Sequence, residues 1–320
     1  MDIFTDEEFL KRMEEEVASW ISNNVKTSTI TTDDGLTLRY YAAINPSAKA
    51  VVAVIHGMGE FFGKWHEPLY YLYNEGYSVY FLEQRGHGLS SREVLDESSV
   101  YVSDYSKYVE DYKKFYDTII CQNEPNKTKL LIAHSMGGAT GALYLERYKD
   151  DFSAAVLTSP MLKLKLGMPN WKIHLLKIMV LVRHLQKNLA PGQKTFSNDP
   201  NFENSSATCY ERHMYQFNMR VSDSHYRMKS TTFGWAVASV NACNKLMKHA
   251  GRVNVPFIIC QAGNDALVEP GAHAEFISRA ERGELIKFPT AKHEIFNSGY
   301  DVLCKYYTEV FEFLSKECGN

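Results

Sequence analysis

Short, unbroken apolar runs alternate with longer segments of helical spacing along most of this chain. Residues 27–32 and 36–43 alternate apolar with polar and flank Asp34-Gly35, which predicts a hairpin. Strands are expected at 50–55, 77–82, 129–134, 154–158, 256–261 and 284–288, most of them too apolar to leave a face in water. Helices are expected at 64–74, 104–121 (with Asp104 as N-cap), 139–148, 271–280 and 301–314. Strands taking turns with helices argue a mainly parallel sheet covered on both faces, with the hairpin as its antiparallel edge. That rhythm lapses between 160 and 255, where 171–187 reads as an apolar helix, 191–206 as a loop and 232–249 as a second helix. An insertion late in such a pattern is expected to rest over the carboxyl ends of the strands, where open α/β sheets place their sites. The expected organisation is therefore a core of 1–160 and 252–320 with a helical cap at 161–251.

Candidate chemistry begins at Ser135. The run Leu130-Leu-Ile-Ala-His-Ser-Met-Gly-Gly138 ends abruptly in a serine flanked by small residues and leads into a helix. A strand, tight turn and helix in that order lift a serine hydroxyl out of the sheet. Ala133 and Gly137 are small because strand and helix backbones approach closely there.

Serine needs a base, and the base needs an acid to fix its tautomer. Asp265, in Gly263-Asn-Asp-Ala-Leu-Val-Glu-Pro270, and His293, in Thr290-Ala-Lys-His-Glu-Ile-Phe296, each follow a predicted strand. Taken singly, an Asp in such a turn is a turn residue and a His after a strand is a surface residue. Taken with the serine elbow, the chain order Ser135, Asp265, His293 is that of an α/β-hydrolase triad. Glu269 is the alternative acid. A tetrahedral intermediate would also need two N–H donors, each worth about 3–4 kcal/mol. The backbone N–H groups of Met136 and of Met58, in His56-Gly-Met-Gly-Glu60, are the candidates. His56 is expected to support that loop, and His134 to point away from the serine.

Bulk properties change this picture little. The chain has 320 residues, a net charge of −3 and 45% hydrophobic residues, which gives no reason to expect nucleic acid. The start is acidic and lacks the order of a signal peptide, and the apolar stretch 173–185 is too short to span a bilayer. Six scattered cysteines without metal spacing are expected to be reduced thiols, consistent with a cytoplasmic protein. No metal or organic cofactor is expected.

Five segments together resemble the monoacylglycerol lipase and bacterial lysophospholipase branch of the α/β-hydrolases, often labelled serine aminopeptidase-like. They are His56-Gly-Met-Gly-Glu60, Glu83-Gln-Arg-Gly-His-Gly-Leu-Ser90, Ala133-His-Ser-Met-Gly-Gly138, Gly263-Asn-Asp265 through Val268-Glu-Pro270, and His293-Glu-Ile-Phe-Asn297. Thr232-Phe-Gly-Trp235 is similar to the start of the last cap helix. The resemblance implies Ser135, Asp265 and His293 as the triad, Met58 and Met136 as the oxyanion hole, and a serine hydrolase acting on monoacylglycerol or lysophospholipid. A short-chain carboxylesterase, an aminopeptidase-like hydrolase and an inert binding protein of the same fold are the alternatives. Ala133 stands where the family more often has glycine, and its methyl is expected to crowd the elbow.

The insertion adds one asymmetry. From Phe152 to Asn198 there is no Asp or Glu, yet six lysines and Arg183 are present among apolar neighbours. Such a segment suits either peripheral contact with anionic membrane or a buried acyl chain with a phosphate near the rim. The plainer expectation is a helix packing its apolar side on the core with its lysines solvated.

Overall fold

A strand with no polar face must be covered twice, and the computed structural model, which describes residues 1–318, builds the sheet that this demands. Its strands are β1 (Val25–Thr31), β2 (Thr37–Ala43), β3 (Ala50–Ile55), β4 (Tyr77–Leu82), β5 (Lys129–His134), β6 (Ala154–Thr158), β7 (Phe257–Ala262) and β8 (Gly283–Phe288). Their order across the sheet is β1-β2-β4-β3-β5-β6-β7-β8. The pairs β1–β2 and β2–β4 are antiparallel, and every other pair is parallel. All residues of β3, β4, β5 and β6 are buried. Because the strands from β4 to β8 run the same way, the turns after β3, β5, β7 and β8 all emerge at one edge. The mainly parallel sheet with an antiparallel hairpin at its edge, expected from the alternation, is therefore present.

Most predicted elements fall within a few residues of the observed ones, and the differences have local causes. Strand β7 starts one residue later than expected because Pro256 has no N–H to give to the ladder. Asp104 caps its helix by accepting from the Ser106 N–H, but the α-helix Tyr105–Phe115 widens into a π-turn at Tyr116–Ile120. The helix expected at 171–187 is Asn170–Val182. There the Leu185 N–H reaches back to the Val180 carbonyl across His184, whose φ of 55° reverses the chain.

Two helical segments lie where the sequence reading assigns none. Phe9, Met13, Val17 and Trp20 recur at helical spacing, and all four are buried in consecutive turns between Phe9 and Asn24. Within the insertion, Tyr210–Ser222 forms a helix whose anchor is Arg212. This fully buried guanidinium meets Glu67 at 2.8–3.2 Å, Asp6 at 2.5 Å and the Phe4 carbonyl at 2.9 Å. The Phe4 N–H in turn donates to the Tyr71 hydroxyl, so the N-terminal segment, the core and this helix are tied together. Among the described residues all six cysteines are unpaired, and no helix is long and apolar enough to cross a membrane.

Candidate active site

The elbow forms because its neighbours leave room for nothing else. A Cβ on Gly137 would stand 2.1 Å from the Ile55 carbonyl oxygen, and one on Gly138 would stand 2.7 Å from the Pro160 Cβ. A Cβ on Gly141, one helical turn further on, would lie 3.1 Å from that of Ala133, so the expected crowding by the Ala133 methyl is real and the glycine absorbs it. Ser135 itself has φ 53° and ψ −116°, a conformation that costs an L-residue about 1–3 kcal/mol. Three backbone bonds hold it there: its N–H donates to the Thr158 carbonyl, and its carbonyl accepts from Ala139 and Met161.

The turns after β5, β7 and β8 bring Ser135, Asp265 and His293 into one hydrogen-bonded line. The Ser135 Oγ lies 2.7 Å from the His293 Nε2, and the His293 Nδ1 lies 2.6 Å from the Asp265 Oδ2. The second carboxylate oxygen accepts from the N–H groups of Leu267 and Val268 at 2.8 and 3.1 Å. Burial alone would raise the Asp265 pKa, but the His293 bond and those two amides outweigh it and leave the value below the ordinary one. An ionised carboxylate can only accept, so the imidazole carries its proton on Nδ1 and turns an unprotonated Nε2 toward the serine hydroxyl. Glu269, the alternative acid, instead begins the helix Pro270–Arg279.

Met58 and Met136 line the cleft in which Ser135 and His293 lie. Among the described residues neither of their N–H groups has a backbone acceptor. The loop bearing Met58 is held from below. The Glu60 carboxylate accepts from the Gly57 N–H, from Trp65 and from His134, all at 2.7–2.8 Å. His56 supports the loop as expected: its Nε2 accepts from the Gln84 N–H, which leaves Nδ1 to donate to the Gly57 carbonyl. Burial pushes its pKa down to about 4, so it stays neutral. His134 turns to Glu60 rather than to Ser135.

The cleft has a volume of about 530 Å³, within the range of small-molecule sites. Its lining includes the apolar side chains of Met161, Leu164, Leu166, Ile173, Leu176 and Val240. It also includes the polar residues Glu60, Lys64, Arg220, Lys229 and Glu294. Sequence reasoning missed Arg220 and Lys229. The helix that carries Arg220 did leave a signal, in the helical spacing of Met214, Phe217 and Val221.

Comparison with known proteins agrees with this architecture. Residues 46–299 match the serine aminopeptidase, S33 family. The probable lysophospholipase L2 of Haemophilus influenzae is 24% identical over 279 residues, covering 82% of this chain and 86% of that protein. The monoacylglycerol lipase of Mycolicibacterium smegmatis is 26% identical over 253 residues, covering 78% and 82%. The crystal structure of a soluble variant of monoglyceride lipase from Saccharomyces cerevisiae superposes with a TM-score of 0.73 at 19% identity, covering 92% of this chain and 96% of that one. Fold and relatives together make the chain an enzyme of the α/β-hydrolase class, a carboxylic ester hydrolase. Within that class it belongs to the serine aminopeptidase, S33 family.

Proposed function

We propose that the chain cleaves the carboxylic ester of a single-chain lipid, a monoacylglycerol or a lysophospholipid, through an acyl-enzyme on Ser135. His293 takes the Ser135 proton as Oγ attacks the carbonyl carbon, then returns it to the departing alcohol. Asp265 holds the imidazole in the required tautomer and stabilises the imidazolium. Water, deprotonated by the same His293, attacks the acyl-enzyme, and the imidazolium returns that proton to the Ser135 Oγ as the fatty acid leaves. The N–H groups of Met58 and Met136 receive the oxyanion in both halves. The 2.7 Å approach of the His293 Nε2 to the Ser135 Oγ carries this reading. The apolar lining of the cleft suits the acyl chain, and residues 161–251 act as the cap that closes over it.

In a panel of esters differing only in acyl length, kcat/KM should rise roughly three- to fourfold per added methylene until the apolar surface of the cleft is covered, from about 0.8 kcal/mol per buried CH₂. A flat profile would favour a general short-chain esterase.

The helix Asn170–Val182 supports a membrane role for the cap. Ile173, Leu176 and Val180 turn inward, but a second apolar surface is left uncovered: Trp171, Leu181 and Val182 are 62, 67 and 70% exposed, and Val180 is the one fully buried hydrophobic residue of the helix. Lys172 and Arg183 flank this surface, which fits contact with anionic lipid. Leu181→Asp with Val182→Asp should weaken sedimentation with phosphatidylglycerol vesicles about tenfold or more, and hydrolysis of a water-soluble ester much less. Undiminished vesicle binding would place the membrane contact elsewhere.

A further inference from the structure

Five cations line the cleft: Lys64, Lys165, Lys177, Arg220 and Lys229. Among the described residues only Lys64 has a carboxylate within 4 Å, namely Glu294 at 2.6 Å and Glu60 at 3.8 Å. Both of those carboxylates are already engaged, Glu60 as described above and Glu294 by Lys64 and Asn297. Lys165 and Lys177 donate to neutral oxygens, the Asp265 carbonyl and the Asn241 amide. The Arg220 guanidinium donates to the carbonyls of Gly59 and Met228 at 2.8 and 3.0 Å, which fixes its plane and leaves three of its five N–H groups without a partner. The Lys229 side chain makes no hydrogen bond among the described residues.

Arg220 and Lys229 also line a second cavity of about 250 Å³, whose wall carries hydroxyls and amides, including Ser205, Asn201, Asn204 and Gln216, together with Lys64, His213 and the carboxylates Asp199 and Glu294. The two spaces share Lys64, Ser206, Arg220, Lys229 and Glu294. Glu294 is held by Lys64, and neither Arg220 nor Lys229 has a carboxylate within 4 Å among the described residues, so these two cations beside a polar chamber define a place for an anionic leaving group. Gly59, held by Arg220, adjoins Met58, so this chamber opens beside the candidate oxyanion donors.

We propose that the second cavity is the headgroup subsite for a phosphate-bearing alcohol, with Arg220 and Lys229 as the residues that bind the phosphate. The preferred substrate is then a lysophospholipid rather than an uncharged monoacylglycerol, a conclusion that rests on the ester-hydrolase reading above. A guanidinium already oriented by two carbonyls meets phosphate oxygens with little further ordering.

The test compares dodecanoyl lysophosphatidate with monododecanoylglycerol, both below their aggregation limits. The wild-type enzyme should prefer the phosphate-bearing ester by about tenfold or more, and 0.5 M salt should shrink that preference. Lys229→Glu and Arg220→Gln should each reduce the selectivity ratio about tenfold, chiefly through KM of the phosphate-bearing ester. Glycerol 3-phosphate should compete for the subsite better than inorganic phosphate. Equal kcat/KM for the two esters would overturn the subsite and leave the ester-hydrolase reading standing. Competition by inorganic phosphate as strong as by glycerol 3-phosphate would reduce it to a general anion site. Arg220→Gln could act by loosening the Gly59 loop, so Lys229→Glu, whose wild-type side chain holds nothing, is the decisive variant. A parallel fall on both esters in that variant would refute a role in phosphate binding. Failure of the wild-type enzyme to cleave any ester would sink the reading itself and the subsite with it.

Discussion

Ser135→Ala is expected to lower kcat by about 10⁴- to 10⁶-fold while leaving the protein folded. Without Oγ no acyl-enzyme forms, and what survives is the contribution of the oxyanion donors and of binding alone. Alanine relieves nothing at the turn, because the positive φ is imposed by the Thr158, Ala139 and Met161 bonds to the Ser135 backbone, which the substitution keeps. Thermal unfolding should therefore move by no more than a few degrees. A fluorophosphonate probe should label the wild-type enzyme at residue 135 and leave the variant unlabelled. Turnover at the wild-type rate in Ser135→Ala would refute the mechanism.

Asp265→Asn is the second large effect, about 10⁴-fold in kcat, and it arises from a single proton. The Leu267 and Val268 N–H groups require an acceptor, so the asparagine oxygen turns to them and its NH₂ faces the His293 Nδ1. An NH₂ donor there forces the imidazole proton onto Nε2, where it opposes the serine hydroxyl instead of accepting from it. The variant should remain folded, because the loop bonds persist, and its rate of fluorophosphonate labelling should fall together with kcat. A variant that labels at the wild-type rate would show that the carboxylate is not what orients His293.

How much of this could be read in advance depends on where each constraint lies. The buried strands were legible because two-sided burial leaves an uninterrupted apolar run, as in Ala50–Ile55. The line of Ser135, Asp265 and His293 was legible because each residue follows such a run, and parallel strands present their ends at one edge. The helical turns from Phe9 to Asn24 carried their signal openly, in Phe9, Met13, Val17 and Trp20, but an acidic start draws attention to charge rather than to spacing. The early end of the helix at Val182 rests on His184 taking a left-handed conformation, which histidine adopts without any mark in the sequence. Arg220 was hidden for another reason: which charges stand near a guanidinium, and at what distance, is a property of space alone.

The buried tether at Arg212 has a consequence for how the cleft opens. Releasing that guanidinium from Glu67 would strand two buried charges at a cost of about 3–5 kcal/mol, so the helix Tyr210–Ser222 is pinned where it stands. The helix Asn170–Val182, with one buried hydrophobic residue, has no such anchor, so of the two it is the cheaper to displace.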